Sequence, residues 1–140
     1  MIEDIEQAII DRLTAKWPTH GGKTPLQTFD IGLDFDDVIS NACVSVATEN
    51  IGLRPLQDMA LELKPTSFVY LCFKSVGNAK GRRFGIYPMI LGIIQILTGQ
   101  DLGLEINNLL PAGPAQEIYH ETLKQKGMVG WKIPFRTSFD

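Results

Sequence analysis

The hydrophobic pattern centres on one stretch, Phe84 to Ile106 (FGIYPMILGIIQILTGQDLGLEI). Ile86, Met89, Ile90, Leu91, Ile93, Ile94, Ile96 and Leu97 leave only Gln95 and Thr98 as polar breaks, with Gly92 between them. A helix this apolar around its circumference must be covered on more than one side. Pro88 suits its first turn, where a missing N–H does no harm. Gly99 suits its C-terminal cap, where the backbone often takes positive φ. At roughly eleven residues the helix is too short to cross a bilayer, which takes about 20. The pattern predicts a core helix, or a core helix with one face left for a partner.

Taken in order, residues 2–16 show Ile2, Ile5, Ile9 and Leu13 on one helical face, with Ala8 beside them. Acidic residues lead this helix and Arg12 and Lys16 close it, the order the helix dipole favours; Pro18 is expected to stop it. Residues 18–29 read as loop, and the acidic DIGLDFDDVIS that follows offers Asp36 or Asp37 as the cap of a short turn. Ala42 to Thr48 reads as a strand, Asn50 to Gln57 as a turn because of Gly52 and Pro55, and Met59 to Leu63 as a short edge strand. Ser67 to Val76 is the clearest strand; neither of its faces is polar, which predicts a central position covered on both sides. Gly77 to Arg83 is a basic connection into the central helix.

After that helix, LEINNLLPAGPAQ carries two prolines and little periodicity. Ala115 to Lys124 fits either a helical face or a strand, and periodicity does not choose. From Met128 to Asp140, Val129, Trp131, Ile133, Phe135, Thr137 and Phe139 alternate with more polar or smaller residues. Pro134 cannot donate to a ladder, so this strand is expected at a sheet edge or with a bulge. An apolar edge strand invites a covering chain. The order of elements predicts one α+β domain spanning residues 1–140: a mixed, mainly antiparallel sheet with an N-terminal helix and the central apolar helix packed on it.

Composition narrows the function more by exclusion than by pointing. At 44% hydrophobic and 21% charged the chain is ordinary for a globular protein. A net charge of −3 does not suit a duplex-binding face, so no specific nucleic-acid recognition is expected. No membrane span is expected, and no leader, since an acidic amphipathic segment follows Met1 directly. Cys43 and Cys72 lie in apolar runs and read as two reduced, buried thiols; a disulfide would require their strands to be neighbours.

Candidate chemistry is sparse. His20 and His120 have no ligands at zinc-site spacing. The cysteines lack an activating base. GGKT at Gly21 to Thr24 imitates the end of a phosphate-binding loop, but the first glycine of that motif would fall at Trp17, and the segment follows a helix. Asp30, Asp34, Asp36 and Asp37 do not have the spacing of a calcium loop, and no glutamate ends it. The sequence predicts no enzyme and no cofactor. Lys80, Arg82 and Arg83 suit a solvated turn or an acidic partner.

Gly85 to Pro111 resembles the Mu-like phage tail proteins of the tail-terminator type. In that family an apolar helix is followed by a glycine-glutamine-aspartate-leucine-glycine run and a short loop ending in proline. Gly99, Gln100, Asp101, Leu102 and Gly103 match the run, and Pro111 the proline. The opening MIEDIEQAIIDRLTAKWP resembles the family's first helix and the alternating end its last strand; the resemblance is weaker between Pro18 and Lys64. The resemblance implies a virion protein that forms a six-fold ring on the last tube ring of a contractile tail. Such a ring stops growth of tube and sheath and offers a surface to the head–tail connector. It also implies that Ala115 to Leu123 is a strand pairing with the last one. The run equally suits a capped helix end: Gly99 as cap, Asp101 and Gly103 as a turn, Leu102 and Leu104 as core plugs.

A ring needs one patch that binds a different patch on the next copy. The apolar helix and the aromatic end strand are the candidates, which places subunit contacts at Ile86, Ile90, Ile93, Trp131, Ile133 and Phe135. Contacts with the tail tube or connector are expected in loops 18–29 and 77–83, through Lys23, Lys80, Arg82 and Arg83; the tail sheath protein is a further expected partner.

Overall fold

A computed structural model describes residues 1–20, 27–28, 42–74, 87–125 and 127–140. The chain runs α1 (Ile2–His20), β1 (Gln27–Thr28), β2 (Ala42–Pro55), a 3-10 turn (Gln57–Met59), β3 (Leu61–Lys74), α2 (Tyr87–Leu97), β4 (Leu110–Pro111), β5 (Gln116–Ile118), α3 (Glu121–Gln125) and β6 (Met128–Arg136). The sheet order is β1-β2-β3-β6-β4, with β5 also on β6. β1 joins β2 in parallel and the other pairs are antiparallel. This is the expected α+β class.

One face of the sheet carries the core. Val44, Val46, Val69, Leu71, Ile133 and Phe135 recur at every second position and are buried. Ile5, Ile9, Leu13 and Trp17 of α1 pack in the same cluster, four residues apart and therefore on one helical face. Met89, Ile90, Ile93, Ile96 and Leu97 of α2 join them. Fully burying one such aliphatic side chain is worth about 1.5–3 kcal/mol, so the two helices are held mainly by this shared layer. Arg12 Nε donates to the carbonyl of Ile96 (2.8 Å), placing a cation at the C-terminal end of α2 and tying the helices together. Tyr87 and Pro88 open α2, and Gly99 ends it at φ +80, as the pattern predicts.

Several boundaries differ from the sequence reading. α1 runs past Pro18 to His20. A proline removes one donor but its φ is helical, and only the last turn bears the loss. The expected turn at Asn50 to Gln57 is instead the second half of β2, and the short edge strand at Met59 to Leu63 is the start of β3. Gly52 lies opposite Lys64 and Pro55 at the strand end, where neither interrupts the pairing.

β3 is central between β2 and β6, but only its core-side face is fully covered. Ser67, Val69 and Leu71 are buried, whereas Phe68 and Tyr70 are half-buried on the other face beside buried Cys72. Lys132 Nζ stands 5.1 Å from the Phe68 ring centre and covers part of that face. Cys43 and Cys72 are register partners across the β2–β3 pair, and Cys72 is a free thiol.

β6 is not an edge strand: β3 lies on one side and β4 and β5 on the other. Pro134 sits where the outer pairing is interrupted. β4 ends with Pro111 opposite Phe135, β5 begins with Gln116 opposite Lys132, and Ala112 N–H donates to the Pro134 carbonyl between them (3.0 Å). The proline's missing donor falls in that gap. The ambiguous segment 115–124 splits: Gln116–Ile118 pairs with β6, as the resemblance implied, and Glu121–Gln125 is one helical turn. Its Leu123, with Ile118, folds over Gly130, where an added Cβ would lie 2.6 Å from Ile118 Cγ1.

Candidate functional site

Past Thr48 the β2–β3 register shifts by one residue, leaving Glu49 as a bulge, and the pair continues as an arm from Asn50–Pro55 to Leu61–Thr66, whose base is flanked on the β3 side by Arg136 to Phe139, bonded at Thr66, Pro65 and Leu63. Side chains alternate across it. Asn50, Gly52 and Arg54 face the same way as Thr66, Lys64 and Glu62, forming a polar side. There Glu62 lies 3.8 Å from Arg54 and 4.0 Å from Lys64. Ile51, Leu53 and Leu61 continue the core side of the sheet, yet they are 45%, 64% and 50% exposed.

The tip of the arm is closed by a hydrogen bond from Leu56 N–H to the Ala60 carbonyl (2.8 Å). Asp58 and Met59 take φ of 63° and 64°. Asp tolerates this left-handed conformation; for Met it costs roughly 1–2 kcal/mol. Met59 is also 99% exposed. A large apolar side chain held outward on disfavoured backbone is the kind of strain that collects at binding sites.

A second uncovered patch lies on α2. Tyr87, Leu91 and Gln95, four residues apart, form one exposed stripe, and Leu91 is 57% exposed. Tyr87 meets the half-buried Trp131 edge-on, with ring centres 6.5 Å apart.

The residues of the glycine-glutamine-aspartate run build the turn after α2. Gly99 N–H donates to the Leu109 carbonyl (2.8 Å), and Leu109 N–H to the Gln100 carbonyl (2.9 Å). Asp101 Oδ1 accepts from Gly103 N–H at 2.9 Å, and Leu102 and Gly103 have φ of 59° and 73°. Leu102 and Leu104 pack on the core. The run thus closes the helix and covers its end.

Of the subunit-contact candidates, Ile90, Ile93, Ile133 and Phe135 are enclosed in the core of the single copy. The physical reason is that α2 turns this side toward α1 and the sheet. Trp131 is half exposed; Ile86, Lys23, Lys80, Arg82 and Arg83, like the acidic segment 30–37, lie outside the described residues. The uncovered apolar residues Ile51, Leu53, Met59, Leu61, Tyr87 and Leu91 were not singled out as contacts. For the arm a signal existed, in the alternation of Ile51 with Leu53 and of Leu61 with Leu63, but Gly52 and Pro55 read as breakers.

Little here suits chemistry. Among the described residues no three His, Cys, Asp or Glu side chains gather as a metal site. Burial pushes the Cys72 thiol up to about 12, so it stays protonated and a poor nucleophile at neutral pH. His120 Nδ1 accepts from Thr122 N–H (3.2 Å) at the start of α3. An open groove of about 380 Å³ lies between α1 and residues 100–103. No described helix is long and apolar enough to cross a membrane.

Against known structures, the chain matches one described as "Virion of native gene transfer agent (GTA) particle". The match has a TM-score of 0.64 and 14% identity, over 96% of this chain and 92% of that one. At this identity the likeness shows a shared fold over nearly the whole length of both. No protein-family model and no curated protein sequence matches.

Proposed function

We propose that the protein is a structural component of a phage-like virion and, within it, the tail terminator. The observation that carries the virion reading is the end-to-end likeness in fold to a chain of a gene transfer agent particle. The terminator role rests on the resemblance of Gly99, Gln100, Asp101, Leu102 and Gly103, after an apolar helix, to the tail-terminator run. The reading is supported by the large apolar side chains left exposed on the arm (Ile51, Leu53, Leu61) and on α2 (Tyr87, Leu91), which suit an assembling protein.

In this reading the protein works by binding. A ring of copies, six by the resemblance, seats on the open end of the tail tube. One of its faces matches the last tube ring and the other does not match a further tube subunit, so growth stops. Specificity of this kind comes from contacts that fit one partner and fail another. The sheath protein and the head–tail connector protein are the further partners, and no catalytic group or cofactor is required.

Electron microscopy of particles assembled without the protein tests the role. Overlong tails are expected. Normal tails detached from heads would instead make it a connector adaptor, one level higher in the neck.

A further inference from the structure

We propose that the basic outer face of the sheet in one copy seats the acidic outer side of α1 from the next copy, in an electrostatic head-to-tail contact. The proposal rests on the reading of the protein as an assembling virion component and names the surfaces that meet.

The sheet has a second face, turned away from the helices. Phe68 and Tyr70 lie there with ring centres 6.4 Å apart, and Lys132 stands over Phe68. Two adjoining open grooves, of about 390 and 320 Å³, run across this face and share Thr66. Lys64 and Arg136 line the first and Lys132 the second, and Arg54 continues the row on the arm. Among the described residues in register on this face, these four cations meet one carboxylate, Glu62, whose side chain is only 17% exposed. The face is therefore cationic in a chain whose net charge is −3.

The matching negative surface is on α1. Ile5, Ile9 and Leu13 turn one side of the helix to the core, so Glu3, Asp4, Gln7 and Asp11 stand exposed on the other. Gln7 Nε2 donates to Asp11 Oδ1 at 2.9 Å, which holds that carboxylate without neutralising it. Nearby cations are engaged or set apart. The Met1 amine lies 3.5 Å from Asp4, Arg12 donates to the Ile96 carbonyl, and Lys16 is more than a turn beyond Asp11. The lengths agree. Lys64 and Tyr70, the register partner of Lys132, are about 20 Å apart along β3. Asp4 and Asp11 are about 10 Å apart along α1 and fall within that span.

The two surfaces lie on opposite sides of the core layer and cannot meet within one copy. Different patches that bind each other between copies make a head-to-tail contact. Exposed ion pairs are individually weak. Complementary charge over a whole face still steers the encounter and fixes its register, and it weakens as salt screens it. The net negative charge of the chain repels a nucleic-acid duplex, which makes the acidic helix the favoured occupant.

Two variants of the full chain test the contact. Lys64→Glu with Arg136→Glu turns the sheet face negative; Asp4→Lys with Asp11→Lys turns the outer side of α1 positive. Should a pair fail to fold in thermal unfolding, Lys132→Glu or Glu3→Lys replaces it. Analytical ultracentrifugation should show the wild type associating at low salt and dissociating at high salt. Either variant alone should associate at least about tenfold more weakly, because like charges then face each other. Their equimolar mixture restores opposite charges across the contact and should return to wild-type strength. Wild-type association by either variant alone, no association of the wild type, or a mixture no better than its parts overturns the contact. A duplex oligonucleotide bound through Lys64 and Arg136, without rescue in the mixture, overturns it in favour of nucleic acid. Wild-type protein found in particles while the mixture fails to associate overturns the contact and leaves the virion reading standing. Rescue in the mixture by a protein absent from particles upholds the contact and removes the virion reading.

Discussion

The Glu6 carboxylate accepts a hydrogen bond from the Thr48 backbone amide at 2.9 Å. Thr48 lies just before the bulge, on the strand whose outer side is paired with β1 only at Cys43 and Val44 among the described residues. A side chain of α1 thus satisfies a donor that would otherwise be open on a sheet edge, and ties the first helix to the base of the arm.

Glu6→Ala should lower stability by about 1 kcal/mol, the net worth of a partly buried hydrogen bond. For a domain of this size that is a fall in Tm of roughly 2–4 °C. Glu6→Gln keeps an acceptor and should lose less. Thermal unfolding of the three proteins checks the order; equal Tm values would show that the bond carries no weight.

Gly130 is required by space. A Cβ there would stand 2.6 Å from Ile118 Cγ1 and 3.0 Å from Leu123 Cδ1. Gly130→Ala should cost about 1–3 kcal/mol through overpacking. Adding Ile118→Ala opens the space, so the double variant should lose less than the two single losses together. Denaturant midpoints of the four proteins measure the coupling, and strict additivity would reject it.

Core and contact roles separate cleanly at two neighbouring positions of α2. Ile93→Ala should destabilise the monomer by about 2–5 kcal/mol, since Ile93 is fully enclosed. Leu91→Ala should change stability by no more than about 0.5 kcal/mol, as at other surface sites. The proposed ring should appear as higher assemblies in analytical ultracentrifugation, and the same Leu91→Ala should reduce them. Wild-type assembly in Leu91→Ala would count against the stripe as a contact.

The Cys72 thiol, pushed up from 9.0 to about 12 by burial, links stability to pH. The folded state holds the thiol proton through a range in which the unfolded chain releases it. The linked stability is therefore fully present below about pH 9 and declines as pH rises toward 12. Urea midpoints at about pH 8 and about pH 10 should differ less in Cys72→Ala than in the wild type. The native thiol should also react slowly with alkylating reagents at pH 8, and rapid native labelling would contradict its enclosure.

What the sequence by itself determined is what neighbours in the chain control. The bounds of α2 follow from Pro88 in its first turn and Gly99 at φ +80 after its end. The buried stripe of α1 follows from Ile5, Ile9 and Leu13, and the turn at Gln100–Gly103 from Asp101 bonding Gly103 two residues on. These signals are local, and local geometry obeys them.

Tertiary structure alone decided which apolar residues stay outside. α2 is apolar on nearly every side, so its 3.6-residue period does not single out an inner face. Packing against α1 and the sheet sends Ile90 and Ile93 inward and leaves Leu91 in solvent. Gly52 and Pro55 look like breakers until β3 is laid beside them; pairing along the whole hairpin then carries the strand through both and extends it beyond the helices as the arm. The physical reason is the same in both cases: hydrophobic burial is set by what lies opposite in space, and a residue's own position in the chain does not contain that information.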